Sequence, residues 1–94
     1  MRVPCLSAEE VAARLSSVPA WRVDPDGLLR RTFVFPGFLD AIAFVNRVAG
    51  AAERADHHPD IDVRWNKVTL ALTTHDSGGL TEKDFALARE FDGF

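Results

Sequence analysis

The chain has 94 residues, 47% of them hydrophobic, and fourteen acidic against eleven basic side chains give a net charge of −3. This is enough for a single domain over residues 1–94, which would bury roughly 60% or a little more of its unfolded surface, and it leaves no room for a second. The basic residues are dispersed, with Arg30-Arg31 the only adjacent pair, so nothing resembles a stripe that would track a phosphate backbone.

The segment from Met1 to Glu10 lacks the apolar core of a signal peptide, and no apolar run of about 18 residues could span a bilayer. A cytoplasmic, soluble protein is the expectation. The single cysteine, Cys5, can form no internal disulfide. Ser7-Ala8-Glu9-Glu10 has the form of a capping box, so a helix starts here, presents Val11, Leu15 and Val18 on an apolar side, and stops at Pro19. Trp21 and Val23 alternate with Arg22 and Asp24. Pro25-Asp26-Gly27 then supplies turn chemistry before a second extended run from Leu28 to Phe35, which predicts a hairpin.

After Pro36-Gly37, apolar residues at Phe38, Ala41, Ile42, Val45, Val48, Ala49 and Ala52 follow the spacing of one helix face, predicting the longest helix, with its end near Asp56. Phe44 and Ala51 fall outside that stripe and leave a second face for self-association or a partner, the plainer alternative being that Phe44 is simply core. Ile61, Val63 and Trp65 alternate with Asp62 and Arg64, the pattern of a strand with one buried face. Asn66-Lys67 reads as a short connection to a last strand, in which Val68, Leu70 and Leu72 point one way and Thr69, Ala71, Thr73 and His75 the other. Gly78-Gly79 ends the sheet. Thr81 to Asp84 caps a final helix whose Phe85, Ala88 and Phe91 face inward. The order α-β-β-α-β-β-α predicts an α+β fold, a four-stranded antiparallel sheet with three helices on one face.

The three histidines, His57, His58 and His75, all fall near sheet or helix ends on this map. Histidine both gives and takes a proton near neutral pH, so their grouping points to proton-transfer chemistry. Because antiparallel neighbours place the start of one strand beside the end of the other, all three should converge at one edge, within reach of Asp84. Each has a plainer role open to it: a helix-end cap for His57 or His58, a solvated strand end for His75, a capping-box acid for Asp84, a solvated helix face for Glu53. Convergence of all three is what those separate roles leave unexplained.

Zinc is the rival chemistry, since three histidines and Asp76 would satisfy its ligand count. Adjacent His57 and His58 diverge unless the backbone turns sharply, and no helical His-x-x-x-His pair is present. Cys5 has no neighbouring base and Ser77 lies in no nucleophile elbow, so covalent catalysis is not indicated.

The spacing Glu53-x3-His57-His58-Pro59, then Trp65, His75 and Asp84, resembles the signature of the pterin-4a-carbinolamine dehydratases. Trp21, Phe33-x-Phe35, Asn66-Lys67 and Thr74-His75-Asp76 extend the similarity over nearly the whole chain, with Ser77 where some members carry cysteine. The resemblance implies dehydration of a 4a-hydroxy-tetrahydropterin to quinonoid dihydropterin and water, in tetrahydrobiopterin recycling, with no metal and no cofactor besides the pterin substrate. It implies acid and base roles for His57 and His75 and substrate orientation by His58. Pro59, Thr74, His75, Asp76 and Ser77 would join His57 and His58 in contacting the pterin, with Asp84, Glu53 and Trp21 in support. It further implies a homodimer or homotetramer, and, in some relatives, a second role as a dimerisation cofactor acting through the long helix.

Overall fold

In the computed structural model, which describes residues 3–94, the Ser7 hydroxyl accepts the Glu10 N–H while the Glu10 carboxylate accepts the Ser7 N–H. This closed capping box starts α1 (Ala8–Leu15). Met1 and Arg2, part of the segment expected to lack a signal-peptide core, lie outside the described residues. The helix ends before Val18, because the Ser16 and Ser17 hydroxyls turn back onto the Ala13 and Arg14 carbonyls and compete with its continuation. Val18 is nevertheless fully buried, whereas Val11 and Leu15 only lean on the core.

Then follow β1 (Arg22–Val23), β2 (Leu29–Val34), α2 (Phe38–Ala55), β3 (Asp60–Arg64), β4 (Lys67–Leu72), a short 3-10 turn (His75–Ser77) and α3 (Glu82–Asp92). The strands form one antiparallel sheet in the order β1-β2-β4-β3. This is the expected α+β architecture. Register places Leu29 opposite Leu72 and Phe33 opposite Val68, and residues paired in this way share a face of the sheet. That face buries Leu29, Phe33, Val68, Leu70 and Leu72 against Phe44 and Val48 of α2 and Phe85, Ala88 and Phe91 of α3. Each such large apolar side chain contributes about 1.5–3 kcal/mol through its removal from water.

Several local expectations are corrected. The inward stripe of α2 is Ala41, Phe44, Val48, Ala51 and Ala52, so Phe44 and Ala51 are core residues, while Phe38 and Ala49 are exposed. The face left outside runs through Leu39, Ala43 and Ala49, with Ile42 half-buried at its border. The strand expected from Trp21 is only two residues long, and Trp21 itself is buried, its edge against Phe33 and its face over Phe91. Its indole N–H donates to Asp92 at 2.7 Å.

Trp65 is not on a buried strand face. Arg64 pairs with Lys67, so the hairpin connection is Trp65-Asn66 and not Asn66-Lys67. Phe35 fixes that register, because its N–H donates to the Asn66 carbonyl and its carbonyl accepts the Asn66 side-chain amide, both at 2.9 Å. Trp65 is left at the tip, 68% exposed and with φ of +52°. Ile61, on the outermost strand, is exposed as well. No helix among the described residues is long and apolar enough to cross a membrane.

Candidate active site

At the C-terminal end of α2 the chain reverses through Asp56, whose left-handed conformation (φ +49°) an aspartate tolerates better than most residues. The Asp56 N–H bonds to the Glu53 carbonyl and the His57 N–H to the Ala52 carbonyl, so the two histidines follow a fixed helix end. On the neighbouring side, β4 stops at Leu72, and His75 lies not at a strand end but in the 3-10 turn beyond it. Thr74 bridges to Gly79, and its carbonyl accepts the Ser77 and Gly78 N–H groups. Gly78, at φ +77°, supplies the left-handed residue that closes this turn. Thr81 then caps α3.

These segments enclose an open cavity of about 290 Å³ lined by Asp56, His57, His58, Thr73, Thr74, His75, Asp76 and Lys83. The three histidines therefore share one cavity. Two of them are anchored to carboxylates in different ways. The His57 side chain is only 10% exposed and its Nε2 lies 2.6 Å from Oδ1 of Asp84, a fully buried carboxylate. The His58 side chain is 56% exposed and its Nε2 meets Glu53 Oε1 at 2.6 Å, in a pair open to solvent. His57 is thus held by an interior group, whereas His58 is paired at the surface.

The second oxygen of Asp84, Oδ2, accepts the Thr81 backbone N–H and the Thr74 hydroxyl, each at 2.9 Å. One carboxylate thus caps α3, holds the residue before His75 and orients His57. Among the described residues, no three His, Cys, Asp or Glu side chains are arranged to hold a metal ion.

Of the residues expected to contact substrate, His57, His58, Thr74, His75 and Asp76 line the cavity, and Pro59 and Ser77 adjoin it without lining it. The Ser77 hydroxyl is taken by the Val3 carbonyl. Glu53 and Asp84 stand behind His58 and His57. Trp21 is a core residue away from the cavity. The expectations missed Asp56, Thr73 and Lys83. Lys83 had a readable sign, because a lysine in the first turn of a helix opposes the macrodipole and so needs another reason to be there.

A small sheet backed by helices, with a polar histidine and carboxylate cavity at the open end of the β3–β4 hairpin, defines the class of site. Residues 4–94 match the family model described as pterin 4 alpha carbinolamine dehydratase, and the chain belongs to that family. A relative from Chloroflexus aurantiacus named pterin-4-alpha-carbinolamine dehydratase is 56% identical over 90 residues, 96% of each chain. One from Roseiflexus with the same name is 55% identical over 87 residues, 93% of this chain and 92% of the relative. Among solved structures, the transcriptional coactivator/pterin dehydratase of Brucella melitensis superposes with a TM-score of 0.91 at 31% identity, covering 95% of this chain and 96% of that one. A pterin dehydratase-like protein identified as a RuBisCO assembly factor in the alpha-carboxysome gives 0.68 at 26% identity, covering 79% and 87%.

Proposed function

We propose that the cavity dehydrates 4a-hydroxy-tetrahydropterin to quinonoid dihydropterin by proton transfer between substrate and histidines, serving tetrahydrobiopterin recycling. The observation that carries this reading is the meeting of all three histidines in one cavity, with His57 locked by a buried carboxylate. The reaction breaks the C4a–O bond, forms the N5=C4a double bond and releases water, with no change of redox state. Hydroxide leaves poorly, so the departing oxygen takes a proton from one imidazole while the N5 proton passes to another base. His57 and His75, on two separate segments that line the cavity, fill these two roles. With Nε2 of His57 occupied by Asp84, Nδ1 is its exchangeable nitrogen. His58, exposed beside Glu53, orients the pterin, assisted by Asp76, Lys83 and the Thr73-Thr74 backbone.

Turnover of the 4a-carbinolamine by purified protein, with the spontaneous dehydration subtracted, tests the reading. A rate no higher than that background ends it.

A second reading is a protein-binding role of the kind named for the Brucella and carboxysome neighbours. The outward face of α2 through Leu39, Ala43 and Ala49 supports it, and the same face suits a homodimer or homotetramer. A His57/His75 double variant separates the two roles, since partner binding survives it and dehydration does not.

A further inference from the structure

Thr74 has one hydroxyl proton and two neighbouring oxygens that could take it. Its Oγ1 is 2.8 Å from Thr81 Oγ1 and 2.9 Å from Asp84 Oδ2. Ionised Asp84 can only accept, and Thr81 Oγ1 already accepts the Lys83 N–H. If Thr74 donated to Thr81, Asp84 would lose a donor and the Thr81 proton would have no acceptor in this network. The order that satisfies every group runs from the Thr81 hydroxyl to Thr74 Oγ1, and from the Thr74 hydroxyl to Asp84 Oδ2. With the Thr81 N–H also on Oδ2, Oδ1 is left for His57, whose proton must then sit on Nε2.

Water does not compete here. Thr74 is 6% exposed, and Thr81 and Asp84 are fully buried. Among the described residues, no buried side-chain polar atom lacks a hydrogen-bond partner. The Thr74 hydroxyl is therefore committed inward, away from any substrate, although Thr74 lines the cavity.

We infer that the Thr74 hydroxyl is a positioning group for the proton transfer at His57: it holds Asp84 in the orientation that makes His57 the Nε2–H tautomer. Because His75 is the next residue, the same bond ties both histidine-bearing segments to one carboxylate. The inference rests on the dehydratase reading for its consequence in turnover, but the hydrogen-bond order can be observed without any turnover. Without that donor the Asp84 carboxylate is no longer fixed with Oδ1 on Nε2 of His57. His57 then loses the acceptor that keeps its proton on Nε2.

The test compares wild type with Thr74→Val, which keeps the shape and loses the donor, and with Thr74→Ser, which keeps the donor and loses a methyl. The expected result for Thr74→Val is a fall in kcat of about tenfold or more, as for other partners that orient a functional histidine, with KM little changed. Thr74→Ser should stay near wild type. A role in packing alone gives the reverse order, with Val active and Ser impaired, and overturns the inference. Nitrogen-15 shifts of the His57 ring in the wild type, above its titration, should report a protonated Nε2 and a bare Nδ1. The opposite tautomer overturns the inference even if Thr74→Val does not fold. Absence of wild-type turnover would remove the dehydration reading and the catalytic role of Thr74 with it, whatever tautomer is seen.

Discussion

His57 and Asp84 are separated by 27 positions in the chain, yet their side chains meet at 2.6 Å, and the carboxylate that receives the imidazole is also the capping-box acid of α3. A local device for starting a helix has become the orienting group of the cavity. Asp84→Asn retains a side-chain oxygen for the Thr81 N–H but removes the charge and allows the amide to donate to His57. Two losses are expected: kcat falls by about 10- to 100-fold through the wrong tautomer, and stability by about 1 kcal/mol through a weakened cap. Turnover and urea unfolding of the same sample measure them separately.

His57→Ala or His75→Ala should lower turnover on the order of a hundredfold, within the ~10² to 10⁴ that general acid or base assistance supplies. His58→Ala should act more on KM, because this side chain is exposed and its partner Glu53 is at the surface. Dialysis against chelator should leave the wild-type rate unchanged, since neither proton transfer needs a Lewis acid. If activity disappears with chelator and returns with zinc, the proton-transfer mechanism is wrong.

Trp65 combines two unfavourable features, a positive φ and a largely exposed indole. A non-glycine residue in that region costs on the order of 1–3 kcal/mol. Trp65→Gly should therefore leave the stability of the isolated chain unchanged or raise it by up to about 1 kcal/mol, read as the thermal midpoint at low protein concentration. A concentration-dependent loss would instead mean that the indole is covered when copies associate.

Self-association itself is the next expectation, through sheet edges and the outward face of α2, into a dimer or a tetramer built from two dimers. Light scattering at micromolar concentration measures it, and a monomeric mass counts against it.

Asp24 connects the first hairpin to acid stability. The Leu28 backbone N–H foremost, and then the Arg30 guanidinium, hold its carboxyl below the ordinary value near 3.8. A depressed carboxylate contributes stability that is fully present above its unfolded-state pKa and is lost as pH falls through the folded-state value. Asp24→Asn should thus be less stable than wild type at neutral pH, and the gap should close as pH falls below the carboxylate range. Denaturant unfolding at pH 7 and at about pH 2.5 tests this, and a gap that persists at low pH refutes the assignment.

Much of this protein could be deduced from local pattern. Ser7 with Glu10 and Thr81 with Asp84 mark helix starts because capping is decided within four residues, and Val68, Leu70 and Leu72 mark a buried face because strand side chains alternate regardless of context. The histidine spacing likewise carried the family and the expectation of a single site. Long-range contacts decided the rest. Which stripe of α2 faces the core depended on the sheet it covers, so Phe44 went inside and Ala49 outside. The hairpin turn moved by one residue because Phe35, just beyond the end of β2, binds Asn66. Trp65 was thereby placed in solvent, where alternation alone had put it in the core. Thr74 turned inward because Asp84, buried by the docking of α3, needed a donor, and hydrogen-bond satisfaction in a buried site is settled only when all its partners are in place.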